Sequence, residues 1–121
     1  MNPINWFEIA ATDIERAKNF YANVFKLEMQ YMEMGPNKMY MFAGDPKNAG
    51  ALGSIFQSES AKPSADGTII YFTTENIQDE LDRVEANGGQ VVYPKNSIGD
   101  FGFIAQIIDT EGNRVGLHSH Q

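Results

Sequence analysis

Apolar and polar residues alternate in short runs along this chain, and twice the alternation gives way to a helical rhythm. The first run, Trp6-Phe7-Glu8-Ile9-Ala10-Ala11, is strand-like and ends in Thr12-Asp13. Ile14, Ala17, Phe20, Tyr21 and Val24 then recur at spacings of three and four, which puts one apolar stripe on a helix. The second run, Ile69-Ile70-Tyr71-Phe72-Thr73-Thr74, leads through Glu75-Asn76 into Ile77, Leu81 and Val84, which keep the same rhythm up to Gly88-Gly89. Asp13 and Asn76 are the expected N-caps, because their side-chain oxygens can accept from free amides of the first turn. The glycine pair suits a left-handed helix end, where the missing Cβ removes a steric penalty.

The two segments match at an offset of 63 residues, and at that offset Ala51-Leu52-Gly53-Ser54-Ile55 falls on Arg114-Val115-Gly116-Leu117-His118. Further strands are expected at Met29–Met34, Met39–Ala43 and Leu52–Gln57, then at Gln90–Tyr93, Phe103–Ile108 and Arg114–Ser119. Gly35-Pro36-Asn37, Gly44-Asp45-Pro46, the Pro94–Gly102 loop and Thr110-Glu111-Gly112-Asn113 supply the turn chemistry between them. Each half therefore reads strand, helix, three strands. The expected fold is α+β, one domain over 1–121, with a βαβββ module at 1–57, a linker at 58–66 and a second module at 67–121. A single helix leaves one sheet face uncovered. Pairing the modules, within the chain or across a dimer, is expected to form a curved barrel-like sheet with an internal cavity. The alternative is a plain α+β sandwich with accidental internal similarity.

Composition narrows the partners. Sixteen acidic residues against nine basic ones give a net charge of −7, which disfavours nucleic acid and anionic membranes, since both need a basic face. The absence of cysteine removes disulfides, thiolate metal sites and cysteine nucleophiles. No apolar run approaches the roughly 20 residues of a membrane-spanning helix, and no signal-like segment opens the chain, so a cytoplasmic location is expected.

Several segments carry a family resemblance. Asp13-Ile14-Glu15-Arg16-Ala17-Lys18-Asn19-Phe20-Tyr21 resembles the opening helix signature of the vicinal oxygen chelate superfamily, the glyoxalase, bleomycin-resistance and dioxygenase proteins. Asp109-Thr110-Glu111-Gly112-Asn113-Arg114-Val115 is similar to its closing turn and last strand. Val91-Val92-Tyr93-Pro94-Lys95, then Gly99, Phe101-Gly102-Phe103 and Ala105, resemble a less characterised glyoxalase-like branch. The resemblance implies a homodimer. In the superfamily's metal enzymes it also implies His, Gln or Glu ligands from the first and last strand of each half, holding a divalent ion whose open positions bind two adjacent substrate oxygens. Carried onto this chain, those positions are Trp6, Gly53, Ile69 and Gly116, and none offers a ligand side chain. No metal and no other cofactor is therefore expected.

With a strand period of two, the residues two along from these positions, Glu8, Ile55, Tyr71 and His118, are expected on the same cavity wall. Glu8, Tyr71 and His118 are candidate base, donor and acid groups, or simply groups that orient a ligand. Trp6 and Ile69 are expected to line the cavity, Trp6 as a stacking face or as filler. Phe101 and Phe103 are expected in a lid, with Gly99 and Gly102 as hinges. Met29, Met32, Met34, Met39 and Met41 suggest an adaptable pocket or dimer surface. The leading expectation is a glyoxalase/bleomycin-resistance-like protein binding a small apolar or aromatic molecule without a metal. The alternatives are a metal-dependent lyase or isomerase with a displaced site built on Glu8, His118 and His120, and a metal-free acid–base enzyme.

Overall fold

Both helices begin where a side-chain oxygen meets a free amide. Asp13 Oδ1 accepts from the Arg16 amide at 3.1 Å, and Asn76 Oδ1 accepts from the Gln78 amide at 3.1 Å. A second side chain completes each start from the last strand of its own module: the Ile14 amide donates to Gln57 Oε1 at 2.9 Å and the Ile77 amide to Ser119 Oγ at 3.4 Å. In the computed structural model, which describes residues 1–121 apart from the Met34 side chain, the elements are β1 (Trp6–Ala10), α1 (Ile14–Phe25), β2 (Met29–Met34), β3 (Asn37–Phe42), β4 (Leu52–Gln57), β5 (Tyr71–Thr73), α2 (Ile77–Val84), β6 (Gln90–Ser97), β7 (Phe103–Ile108) and β8 (Arg114–Ser119). No helix among the described residues is long and apolar enough to cross a membrane.

Two four-stranded sheets result, ordered β1-β4-β3-β2 and β5-β8-β7-β6. In each, the first strand runs parallel to the last and the other pairs are antiparallel. The fold is therefore α+β with two βαβββ modules. The sheets are curved but do not join into a closed barrel. Three strands differ from expectation, β3 by starting at Asn37 rather than Met39. β5 is shorter, starting at Tyr71, and β6 runs on to Ser97 through Pro94 because two register irregularities, at Val91/Tyr93 and Tyr93/Asn96, absorb the residue that cannot donate to the ladder.

One face of each sheet carries the core. Phe20, Tyr21 and Val24 of α1 and Ile77, Leu81 and Val84 of α2 are buried together with Ile9, Ile55, Ile107, Val115 and Leu117 of the sheets. An aromatic cluster bridges the modules there: Phe72 stacks on Phe25 with centroids 4.5 Å apart and meets Phe7 edge-on at 5.9 Å. Gly88, at φ +93°, ends the α2 run where the sequence places its stop.

The modules are locked by the β7–β8 turn, which docks on the β1–α1 junction. The buried Asp109 carboxylate accepts from the Tyr21 hydroxyl at 2.6 Å, the Asn113 side-chain amide at 3.0 Å, and the amides of Glu111 and Asn113 at 2.8 and 2.9 Å. Asn113 also donates to the Ala10 carbonyl at 2.7 Å. Glu111 accepts from the Thr12 and Asp13 amides and forms a two-pronged ion pair with Arg16. Burial pushes the Tyr21 phenol well above its ordinary value, and the Asp109 carboxylate adds to that.

Tyr21→Phe removes a donor to a buried carboxylate and is expected to cost about 1–3 kcal/mol in urea unfolding with an unchanged m-value; unaltered stability would show that the bond is not structural. Glu111 supplies a pH test. Its partial burial favours the neutral acid, but the bonds from Arg16, the Asp13 amide and Thr110 outweigh this and hold the carboxyl below its ordinary 4.5. Folding thus favours the ionised form. The contribution is complete above the unfolded value and is lost as pH falls through the lower folded one. Glu111→Gln is expected to lose stability at neutral pH and to show a shallower acid limb than the wild type, with parallel limbs as the contrary result.

Candidate functional site

Strand register decides which residues face away from the helices. In the first sheet Trp6 pairs with Leu52, Glu8 with Ser54 and Ala10 with Phe56, and Met39 and Met41 continue that face through Phe56 and Ser54. In the second, Tyr71 pairs with Gly116 and Thr73 with His118, and β7 adds Ile104, Gln106 and Ile108. These two open faces are the candidate site. Trp6 is 39% exposed and Tyr71 44%, with Met32 and Tyr93 alongside them also exposed. Met32 continues the first face through Met39 and Tyr93 the second through Gln106. Of the methionines expected at such a surface, Met32, Met39 and Met41 lie on it, Met29 packs against the core, and the Met34 side chain lies outside the described residues.

Register also corrects three of the expected site residues. Ile55 pairs with Ile9 and is fully buried against the helices, not on the open face. Gly53 pairs with Phe7 on that same helix side, and the open-face counterpart of Gly116 is Ser54. The cause is a one-residue difference between halves. The first strands and helices repeat at 63 residues, but the last strands repeat at 62, as the matching cap partners Gln57 and Ser119 show. In a strand, one residue reverses every side chain. Phe103, paired with Ser119, likewise packs against the core, where the Lys95 ammonium stands 4.7 Å from its ring centre.

Phe101 lies at the end of a 3-10 turn, Gly99–Phe101, and is 75% exposed. Its carbonyl is 2.6 Å from His118 Nε2. A carbonyl only accepts, so Nε2 carries the hydrogen and that nitrogen is spent on the turn. The His120 ring sits edge-on to His118 at 5.0 Å. Glu8 lies on the other sheet, exposed and with no side-chain bond among the described residues. Glu8, Tyr71 and His118 thus share no hydrogen bond.

Tyr71 is engaged elsewhere. Its ring lies over Gly116, where an added Cβ would collide with the ring carbons. Its hydroxyl oxygen accepts from Gln106 Nε2 at 2.9 Å, and Gln106 Oε1 accepts from Arg114 Nη1 at 3.1 Å. Arg114 Nε donates to the Ala65 carbonyl at 3.2 Å, which anchors the guanidinium at the linker. Gln106 and Arg114 are candidate site residues that the repeat alone did not single out. Ile69, two residues before Tyr71, is half-buried.

The residues present do not fit a divalent ion of the superfamily type. Trp6, Ile69 and Gly116 offer no donor, Gly116 is covered by a phenyl ring, and the Ser54 hydroxyl is buried with no hydrogen-bond partner. No group of three His, Asp or Glu side chains positioned to hold a metal exists among the described residues. Two clefts of about 590 and 950 Å³ lie beside the α1 C-terminus and the linker, and neither is lined by Trp6, Glu8, Tyr71 or His118.

Comparison with known proteins agrees with the architecture. The family model described as the Glyoxalase/Bleomycin resistance protein/Dioxygenase superfamily matches residues 3–117. CFP32 of Mycobacterium tuberculosis, which carries a glyoxylase name, is 30% identical over 116 residues, covering 93% of this chain but 44% of its own length. The chain thus spans under half of that relative. A glyoxylase-like domain-containing protein of Didymella fabae is 30% identical over 119 residues, covering 91% of this chain and 88% of its own. Among solved structures, a mutant glyoxalase I of Zea mays superposes with a TM-score of 0.77 at 16% identity, over 98% of this chain and 46% of that one. The fosfomycin resistance protein FosX of Listeria monocytogenes gives 0.72 at 16% identity, over 99% and 91%. At such identities the structures speak for the fold. The matched span, the paired modules and the parallel first and last strands lead to one assignment: the chain belongs to the glyoxalase/bleomycin resistance protein/dioxygenase superfamily.

Proposed function

We propose that this protein binds a small aromatic or apolar molecule on the open faces of its sheets, without the divalent ion used by metal enzymes of its superfamily. The observation that carries this reading is the Tyr71 ring lying over Gly116. It puts an aromatic surface and a phenol at the position where the superfamily resemblance implies a metal ligand. Trp6 stands at the implied first-strand ligand position of the other module, and Met39 and Met41 add adaptable apolar surface. Aromatic side chains of this kind offer a large contact area at small cost in side-chain freedom. A second copy of the chain set against the open faces would shield this surface from water, and a homodimer is part of the proposal. Large exposed aromatics on a sheet face commonly mark such contacts.

The reading is tested on purified protein by elemental analysis and by titration with Ni²⁺, Zn²⁺ and Mn²⁺. No stoichiometric ion is expected. A micromolar or tighter site abolished by Glu8→Ala or His118→Ala would overturn the metal-free reading. A thermal-shift screen over aromatic and dicarbonyl compounds is expected to yield ligands that raise the midpoint by several degrees, since a ligand at a hundred times its Kd adds about 2.7 kcal/mol of stability. The sole tryptophan, Trp6, should change its fluorescence with the same midpoint. Binding with no response from Trp6 would place the ligand elsewhere.

A further inference from the structure

The bond directions at Tyr71 follow from elementary donor and acceptor rules. A guanidinium has only donors, so the group of Gln106 that meets Arg114 Nη1 must be its carbonyl oxygen. That orientation turns the Gln106 amide nitrogen towards Tyr71. The nitrogen only donates, so the phenol oxygen is obliged to accept, and its own proton is left for another partner. Tyr71 makes no second side-chain hydrogen bond among the described residues, and at 44% exposure its hydroxyl is reachable. The chain starts at a full positive charge. Arg114 has no carboxylate within ion-pair distance among the described residues, and its bonds go to the neutral Ala65 carbonyl and Gln106 amide. A charge at the head of a hydrogen-bond chain polarises each bond in turn, strengthening the terminal donor. The ring cannot swing inward, because the Gly116 backbone lies directly beneath it.

We propose that the Arg114–Gln106–Tyr71 chain presents the Tyr71 hydroxyl as a fixed hydrogen-bond donor to a carbonyl or carboxylate oxygen of the bound molecule. The ligand class is thereby narrowed from aromatic or apolar compounds to those that carry such an oxygen beside the apolar part. Tyr71 makes the contact, while Gln106 and Arg114 are positioning residues that set the direction of its proton. The inference rests on the proposed binding function and deepens it.

The test compares two probes of nearly the same shape by ¹⁹F NMR titration: 4-fluoroacetophenone, with a carbonyl, and 1-ethyl-4-fluorobenzene, without one. The wild type is expected to bind the ketone about tenfold more tightly, the worth of one well-directed hydrogen bond. Tyr71→Phe keeps the ring over Gly116 and should abolish the preference for the ketone, with a cooperative thermal transition showing that the variant is folded. Gln106→Leu should lower the preference partway. Equal affinities in the wild type, or a preference that survives Tyr71→Phe, overturn the donor assignment while leaving the binding function standing. Binding of neither probe overturns the binding function and the donor assignment with it.

Discussion

The arrangement of the whole molecule depends on one buried carboxylate. Asp109 follows β7 and collects donors from α1, from the turn it opens and from the Asn113 side chain, which itself reaches the β1 carbonyl of Ala10. An ion taken out of water costs several kcal/mol unless its lone pairs are satisfied, so this geometry tolerates little displacement. Among the described residues no strand pairing joins the two sheets. Their relative placement rests on the aromatic cluster, which is attractive but weakly directional, on the Arg83 side chain of α2 donating to the Val24 carbonyl of α1, and on the Asp109 network, which is strongly directional. The Glu111–Arg16 pair adds a further clamp on the same junction. Where the open faces of the two modules point is fixed from here.

Local chemistry made much of this legible in the sequence. The caps at Asp13 and Asn76, the apolar stripes of both helices, the stop at Gly88 and most strand limits depend on neighbours within a few residues. The faces of β4 were not legible in the same way. The 63-residue repeat that aligns Trp6 with Ile69 and Ile14 with Ile77 breaks by one residue before β4, and the sequence around Gly53 and Gly116 hides that break because both are glycine. Only the pairing of Glu8 with Ser54, against Tyr71 with Gly116, exposes it. The Arg114–Gln106–Tyr71 chain was hidden for a related reason: it joins the β7–β8 hairpin to β5, whose Tyr71 lies 35 residues before Gln106 in sequence. One sign of it was available, since Gln106 stands between Ile104 and Ile108 as the polar residue of an apolar period-two face.

The two glycines answer different demands. At Gly53 a side chain would collide with the Phe7 carbonyl and ring on the helix side, so the glycine serves the core. At Gly116 it would collide with the Tyr71 ring on the open side, so the glycine serves the site. The departure from the superfamily's metal ligands looks symmetric in sequence and is asymmetric in space. One half closes its position with a buried serine, and the other covers it with a tyrosine tied to a guanidinium.

That asymmetry separates the roles of the modules. The first offers Trp6, Met39 and Met41, a surface with shape and apolar area but little directed polarity. The second offers Tyr71, Gln106 and Arg114, whose bonds have fixed direction and whose charge is held by the linker carbonyl of Ala65. A ligand that touches both would gain contact area from one and orientation from the other. Apolar contact without directed bonds discriminates poorly between molecules of similar size, whereas a buried or constrained donor penalises any guest that leaves it unpaired. Specificity in such a site therefore resides in the second module. The Asp109 lock matters to it because the guanidinium that begins the donor chain stands immediately after the turn that the lock holds.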